Sequence, residues 1–471
     1  MPVFFTFSLK DPSAGLPIIQ NAASRLFSRR PFLMGNVIEQ AHLGNQKRIC
    51  EVRPPDEQYM RYNRMLTVKY HKEDIASQKP SSEIAGSLPK SEAFVPVPFD
   101  HTRSDPQPIF RIQANMMEDG IILCFSFHHR VMDATGLCAV ISSFAEYCRD
   151  SEVDNDLLLN EEDHAHVRAQ IADCTGESSV CYNKTYGVSE FTGAKNVNDP
   201  HGLQSRSFRF SAERIHHLRT ACNGLASEFL VDVEHLRGLG NGGRQSTHSA
   251  SASGLFTRND IFTALLWLCR ARAKKEDLSS PSPLLFAADI RSILQPPLPR
   301  NYMGNSMAFL KASAPIRPLI PFSDQVKEIL PADASFDPND LRLLLNLALQ
   351  IRQRRKSIDN NHVHGLISYV NNLTDWGNAI FRPTDTIVSN IRHVPFYQLG
   401  FGPVLGRVQH YEIPENRTEG VTWLLPARPP STTDSYKDLT QAPWEFRWTL
   451  RQETVDKLRK DRLLQWVSIL D

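Results

Sequence analysis

Residues 109–147 read IFRIQANMMEDGIILCFSFHHRVMDATGLCAVISSFAEY. Ile109 to Ala114 alternates apolar with polar residues, which predicts a strand. Glu118-Asp119-Gly120 predicts the turn that follows, since Asp-Gly is a strong hairpin signal. Ile121 to Phe127 is apolar apart from Ser126 and suits a buried strand. The polar stretch from His128 to Asp133 then opens a loop, and Leu137 to Tyr147 has the periodicity of a helix. Hairpin, strand, loop and helix in that order place the loop at the end of a buried strand, where side chains can face a cleft.

Within that loop, His129 and Asp133 form an H-x-x-x-D motif. Imidazole titrates near pH ~6.5, so His129 is suited to take a proton from an alcohol or an amine. Asp133 could share a helical face with the ring and orient it. It could equally brace the loop by pairing with a cation elsewhere, and spacing alone leaves both roles open. The alternative reading is a hydrogen-bonded histidine that closes a strand. A second match, His101 and Asp105, sits in a proline-flanked polar stretch with no buried strand before it, so no chemistry is assigned to it.

Outward from this unit, Phe4 to Ser8 predicts a strand and Leu16 to Phe27 a helix. Residues 53–108 predict loops and edge strands, and residues 150–205 an acidic to polar linker. Ser207 to Phe210 predicts a short strand, Ala212 to Cys222 a helix, and residues 237–254 a Gly/Ser-rich loop. Thr257 to Lys275 predicts an amphipathic helix capped by Thr257 or Asn259. Further strands are expected at Leu284 to Ile290, Thr386 to Asn390, Val421 to Leu425 and Trp444 to Leu450, with helices at Asp340 to Arg355 and from Gln452 to Trp466. Irregular alternation of the two types gives an α/β or α+β class.

The chain has 471 residues, enough for about three domains or two large ones at roughly 150 residues each. Its 53 basic and 52 acidic residues leave a formal charge of +1, which supplies no general attraction to nucleic acid or to an anionic membrane. No apolar run approaches the ~20 residues of a membrane span. Eight cysteines, at 50, 124, 138, 148, 174, 181, 222 and 269, form no C-x-x-C. That spacing argues against a zinc site and a secreted disulfide framework, so a reducing compartment, the cytosol, is expected. MPVFFTFSL has neither a basic leader nor a small-residue cleavage site, so no signal peptide is expected.

Other features are weaker. Gly238 to Gly243 fits G-x-G-x-x-G but lacks the strand and helix that a dinucleotide fingerprint requires. The histidine pairs at 164/166, 216/217 and 362/364 have no partner at ligand spacing and read as solvated surface, so no metal is expected. Arg352, Arg354, Arg355 and Lys356 complement the dipole at a helix end. No G-x-S-x-G elbow is present.

HHRVMDATG resembles the active-site segment of the BAHD acyltransferases, within the superfamily of chloramphenicol acetyltransferase and peptide-synthetase condensation domains. Pro31-Phe32-Leu33-Met34-Gly35 is similar to the family's P-F-L-A-G. The stretch TRNDIFTALLW, Thr257 to Trp267, resembles the helix after the crossover. Asp289-Ile290-Arg291, Pro296, Pro297, Pro299 and Tyr302-Met303-Gly304-Asn305 are similar to its D-x-R … P … Y-x-G-N block. Gln398-Leu399-Gly400-Phe401-Gly402 stands in the place of D-F-G-W-G. The ordered motifs span residues 3–466, and the style is closest to the fungal branch typified by trichothecene 3-O-acetyltransferase.

The resemblance implies two α/β domains with mixed sheets, joined by a long crossover, with a channel between them. The expected division is 1–195, 196–256 for the crossover and its loop, and 257–471. It implies a CoA-dependent O-acyltransferase, first choice acetyl, acting on a hydroxyl of a small secondary metabolite, with an amine acceptor or amide formation as the alternative and a non-catalytic CoA binder as a third reading. Acyl-CoA would be a co-substrate, with no permanently bound cofactor, no nucleic-acid or membrane partner, and a monomeric state. His129 would be the general base, and Asp133 of the same motif would point away from substrate to pair with Arg291. Ser389 and Asn390 match the S-x-W stretch near the site, and either could be the oxyanion donor. Thr257 and Asn259 would contact CoA. Three departures stand out: Asp133 is followed by Ala134 rather than Gly; Gln398 replaces an aspartate; and the N-terminus is short, which implies either an unpaired sheet edge or an incomplete gene model.

Overall fold

The structure is a computed structural model that describes residues 1–39, 50–55, 57–75, 92–97, 107–150, 157–177, 182–188, 202–238, 254–274, 279–317, 329–373, 379–381, 384–414, 416, 418–429 and 439–469. His101 and Asp105, and most of the Gly/Ser-rich segment, lie outside them.

In chain order the N-terminal elements are β1 (Pro2–Ser8), α1 (Gly15–Arg29), β2 (Asn36–Glu39), β3 (Cys50–Arg53), α2 (Glu57–Tyr62), β4 (Leu66–Tyr70), β5 (Gln107–Pro108), β6 (Phe110–Met117), β7 (Gly120–Phe127), α3 (Ala134–Arg149) and α4 (Glu161–Ala172). Then come α5 (Tyr182–Thr185), β8 (Tyr186–Val188), β9 (Leu203–Phe210), α6 (Ala212–Gly238), α7 (Arg258–Lys274), β10 (Ser282–Asp289) and β11 (Met307–Ala314). Helices Asn339–Lys356 and Asn360–Asn371 follow. The remaining strands are β12 (Ala379–Phe381), β13 (Thr386–Asn390), β14 (His410–Glu412), β15 (Val421–Leu424) and β16 (Trp444–Arg451), and helices Gln452–Leu458 and Arg462–Val467 close the chain.

Two mixed sheets organise the molecule. The first runs β14-β1-β7-β6-β4 and the second β11-β10-β13-β15-β16-β9. Each contains both pairing types: β4 is parallel to β6 in one, and β10, β13 and β15 are parallel in the other. Small sheets β3-β2-β5 and β12-β8 complete the layers.

The sheets exchange material. β14, late in the chain, pairs with β1 in the first sheet. β9 pairs with β16 along eight residues, so residues 203–210, expected in the crossover, are an edge strand of the second sheet. Because β14 and β7 flank β1 on both sides, the unpaired edge expected beside β1 is not there.

The hairpin predicted at Glu118-Asp119-Gly120 forms, but for another reason. Met117 pairs with Gly120, so Gly120 opens the strand and does not sit in the turn. A Cβ there would lie 2.1 Å from the Phe7 carbonyl oxygen, which only glycine avoids. The alternating polar residues of β6 are buried as well: Gln113 and Asn115 donate to the Ala93 and Phe94 carbonyls of a segment that covers them. α7, expected to be amphipathic, is buried from Asp260 to Ala271, because α6, helix Asn339–Lys356 and helix Gln452–Leu458 enclose it against the second sheet. Burial on all sides hides a helix from a periodicity argument. Its cap is a reciprocal box. Thr257 Oγ1 donates to Asp260 Oδ2 at 2.8 Å, and the Asp260 N–H donates back to that hydroxyl at 3.2 Å.

Candidate active site

β7 ends at Phe127, and successive side chains of an extended chain point in opposite directions. His128 therefore faces the small sheet, where its Nε2 meets Gln107 Oε1 at 2.8 Å. His129 faces the other way, into a cavity of about 750 Å³. Both halves of the chain line this cavity: Val3, Phe127, Ala134 and Thr135 on one side, Asn259, Asp289, Met307, Ser389 and Trp423 on the other. Solvent reaches the His129 ring through the cavity, yet protein surrounds most of it. This desolvation lowers its pKa from the ordinary value, against a contribution from its own main-chain carbonyl that raises it.

Asp133 is fully buried and turned away from the cavity. Its carboxylate accepts four hydrogen bonds. Arg291 Nη1 and Nη2 donate at 2.9 Å each, and the Gly136 and Ser306 N–H groups at 2.8 Å each. The Gly136 bond makes Asp133 the N-cap of α3. Of the two roles that spacing left open, the geometry is that of the brace. Arg291 also donates to the Tyr302 and Gly304 carbonyls, at 3.2 and 2.7 Å. Asn305 completes the arrangement: its Nδ2 donates to the His129 carbonyl at 2.7 Å and its backbone N–H to Val131 at 2.9 Å. The loop that carries His129 is thus tied to the second half by two side chains of the Asp-x-Arg … Tyr-x-Gly-Asn block. Gly136 permits the close approach, for a Cβ there would lie 2.1 Å from the Met303 carbonyl oxygen.

Ser389, Asn390 and Asn259 all reach the cavity. Asn390 is engaged at both ends of its amide: Nδ2 donates to Asn259 Oδ1 at 2.5 Å, and Oδ1 accepts from the Arg392 N–H at 2.8 Å. Thr257 spends its hydroxyl on the α7 cap, and of the two helix-start residues it is Asn259 that lines the cavity. The Gln398 to Gly402 segment lies elsewhere. Phe401 is buried against Phe5, Phe7 and Phe144 of the first half, and Gln398 is exposed.

Sequence reading missed two groups of the cavity and one tie to its loop. Arg355, assigned to a solvated helix end, lies over the Phe286 ring and 3.5 Å from Asp260, at the wall of the cavity. His393 also lines it; desolvation lowers its pKa while Asp289 and Asp133 act to raise it. Asn305 stood within a quoted motif, but its two bonds to the loop depend on tertiary contact. The reading of His164 as solvated surface is overturned: the residue is 1% exposed, and burial brings its pKa down to about 4. Among the described residues, no group of three or more His, Cys, Asp or Glu is placed to hold a metal, and no helix is long and apolar enough to cross a membrane.

The profile of the Transferase family matches residues 82–435, and that of the trichothecene 3-O-acetyltransferase-like N-terminal domain matches residues 2–148. The chain belongs to the Transferase family, as its ordered motifs indicated. Among curated relatives it is 26% identical to communesin N16 acyltransferase of Penicillium expansum and 27% to fumigaclavine B O-acetyltransferase of Aspergillus fumigatus; each alignment covers 98% of this chain and 93% of the relative. Its fold is that of F. graminearum TRI101, solved with coenzyme A and T-2 mycotoxin. The TM-score is 0.68 at 17% identity, over 99% of this chain and 95% of that one. Vinorine synthase shares the fold at a TM-score of 0.60 and 15% identity, over 99% and 90% of the two chains.

Proposed function

We propose that this chain is a CoA-dependent O-acyltransferase that moves an acyl group, first choice acetyl, to a hydroxyl of a small secondary metabolite, with His129 as general base. The acceptor O–H would give its proton to the lone pair of the His129 ring. The oxygen then attacks the thioester carbonyl, and a tetrahedral oxyanion forms. Its collapse breaks the C–S bond, and the imidazolium returns the proton to the departing thiolate, leaving ester and free CoA. Either residue of the expected pair can donate to the oxyanion: Ser389 through its hydroxyl, and Asn390 through the second N–H of Nδ2, the first being given to Asn259. Asn259 is the better-placed CoA contact, since Thr257 is occupied in the cap. Asp133 and Arg291 hold the loop and touch no reacting atom. We place the enzyme in the cytosol as a monomer, without a nucleic-acid or membrane partner.

The observation that carries this reading is the orientation of the two motif residues: His129 opens into a cavity of ligand size, while Asp133 is saturated behind it. The relatives' names supply the acyl-transfer class and the metabolite acceptors. Amine acylation is the second reading, favoured by the relative named for acylation at a nitrogen.

The test is thiol release from acetyl-CoA with fumigaclavine B and a panel of hydroxylated and amine-bearing alkaloids, followed by mass spectrometry. A product heavier by one acetyl group, formed at a hydroxyl, is expected. CoA binding without transfer to any acceptor would favour a non-catalytic binder.

A further inference from the structure

The loop that carries His129 has a second side. A separate cavity of about 1030 Å³ lies there, lined by Arg130 and Val131 where the first is lined by His129, Ala134 and Thr135. One face of α4 forms part of its wall: Glu161, His164 and Arg168 stand at i, i+3 and i+7, one above the other on a helix. The wall is anchored. Gln170 Nε2 donates to the Pro296 carbonyl at 2.8 Å, Asn301 Nδ2 to the Leu157 carbonyl at 2.9 Å, and Arg30 Nη2 to the Leu158 carbonyl at 3.1 Å.

The lining combines two chemistries. Phe32, Val37, Val52, Met303, Val370 and Leu373 are apolar. Arg53 is paired with Glu51 at 2.9 Å, so the lining's positive charge rests on Arg130 and Arg168 against Glu161. Arg168 lies over the Phe32 ring at 5.4 Å, so cation and apolar surface are contiguous. His164 supplies an independent observation. It lines this cavity, it is 1% exposed, and its Nε2 has no hydrogen-bond partner among the described residues. Buried polar atoms are nearly always paired, and the exceptions call for an explanation. A neutral imidazole can donate to, or accept from, a group placed in the cavity.

We propose that this cavity is a second binding site, distinct from the one that His129 faces, for a small carboxylate with an apolar body. The carboxylate lies toward Arg168 and His164, and the body covers Phe32, Val37 and Met303. The site stands on its own geometry and does not rest on the acyl-transfer reading.

Dodecanoate, below its micelle concentration, is the probe, titrated calorimetrically into the full chain with and without saturating CoA. We expect saturable binding in both conditions. Arg168→Glu, on the exposed side of α4, and Val52→Trp, on an exposed strand at the rim, should each weaken it at least tenfold while melting temperature and CoA affinity stay unchanged. The two variants act by unlike means, charge and bulk, so one suffices if the other loses its fold. Dodecanoate that does not bind, that is displaced by CoA, or that binds both variants like the wild type would overturn the proposal.

Discussion

Two buried carboxylate–arginine pairs join the halves of this molecule, and they differ in what else they hold. Glu412 on β14 accepts from Arg447 on β16 at 2.7 and 2.5 Å, linking the first sheet to the second. Asp133 and Arg291 link the same halves with the same chemistry. Beyond Arg447, the Glu412 carboxylate meets the neighbouring Ile413 N–H and His410. The Asp133–Arg291 pair also caps α3 and gathers the 302–306 segment, from which Asn305 holds the His129 carbonyl. One pair is a fastening between sheets; the other fixes a loop. The difference teaches that pair strength alone does not make a residue functional. What matters is which backbone groups the pair organises.

The largest effect is expected from Arg291→Ala. Leaving Asp133 buried without its partner should cost about 3–5 kcal/mol, seen as a lower melting temperature and soluble yield, together with a fall in turnover per folded molecule. Arg447→Ala should cost stability in the same range and leave turnover per folded molecule near wild type. Equal loss of specific activity in both would erase the distinction. Gly136→Ala comes next. Its Cβ would press on the Met303 carbonyl oxygen. Overpacking of this kind typically costs about 1–3 kcal/mol, and because the contact is with backbone and Gly136 lies in the first turn of α3, little is recovered, so a clear loss of stability is expected, with turnover reduced as well.

The smallest effect is expected from replacing the remote pair entirely. The double change Glu412→Leu with Arg447→Met should lie near wild-type stability, since apolar replacement of a buried pair is often neutral. The pH dependence sharpens this. Burial acts to raise the Glu412 pKa, but His410 and Arg447 outweigh it and leave it lowered. A carboxylate with a lowered folded pKa contributes stability above its unfolded pKa and loses it as pH falls through the folded one. The wild type should therefore lose stability on acidification more steeply than the double variant; parallel curves would contradict the assignment.

Much of this was legible in residues 109–149. The hairpin, buried strand, loop and helix follow from local pattern, and the motif resemblance supplied the pairing of Asp133 with Arg291. What was not legible depends on contacts between distant segments. Asn160 caps α4 by accepting from the Asp163 N–H at 2.7 Å, ahead of an acidic first turn, but without an apolar stripe the region read as linker. β14 is three residues long, too short for a period to show. His164 is buried by its neighbours in space, and its own sequence neighbourhood, Glu161 to His166, reads as solvated. That Asn390 gives one of its two amide N–H groups to Asn259, 131 residues away, could not be read from the chain either.

The most direct test is kcat for thiol release from acetyl-CoA by His129→Ala, measured on protein with the wild-type melting temperature and an acceptor the wild type uses. General-base catalysis contributes about 10²–10⁴-fold, so turnover should fall at least a hundredfold. The rising limb of the wild-type pH–rate profile should lie below the ordinary imidazole range, because burial lowers the pKa of this ring. Turnover in the variant within a few-fold of wild type would contradict the account.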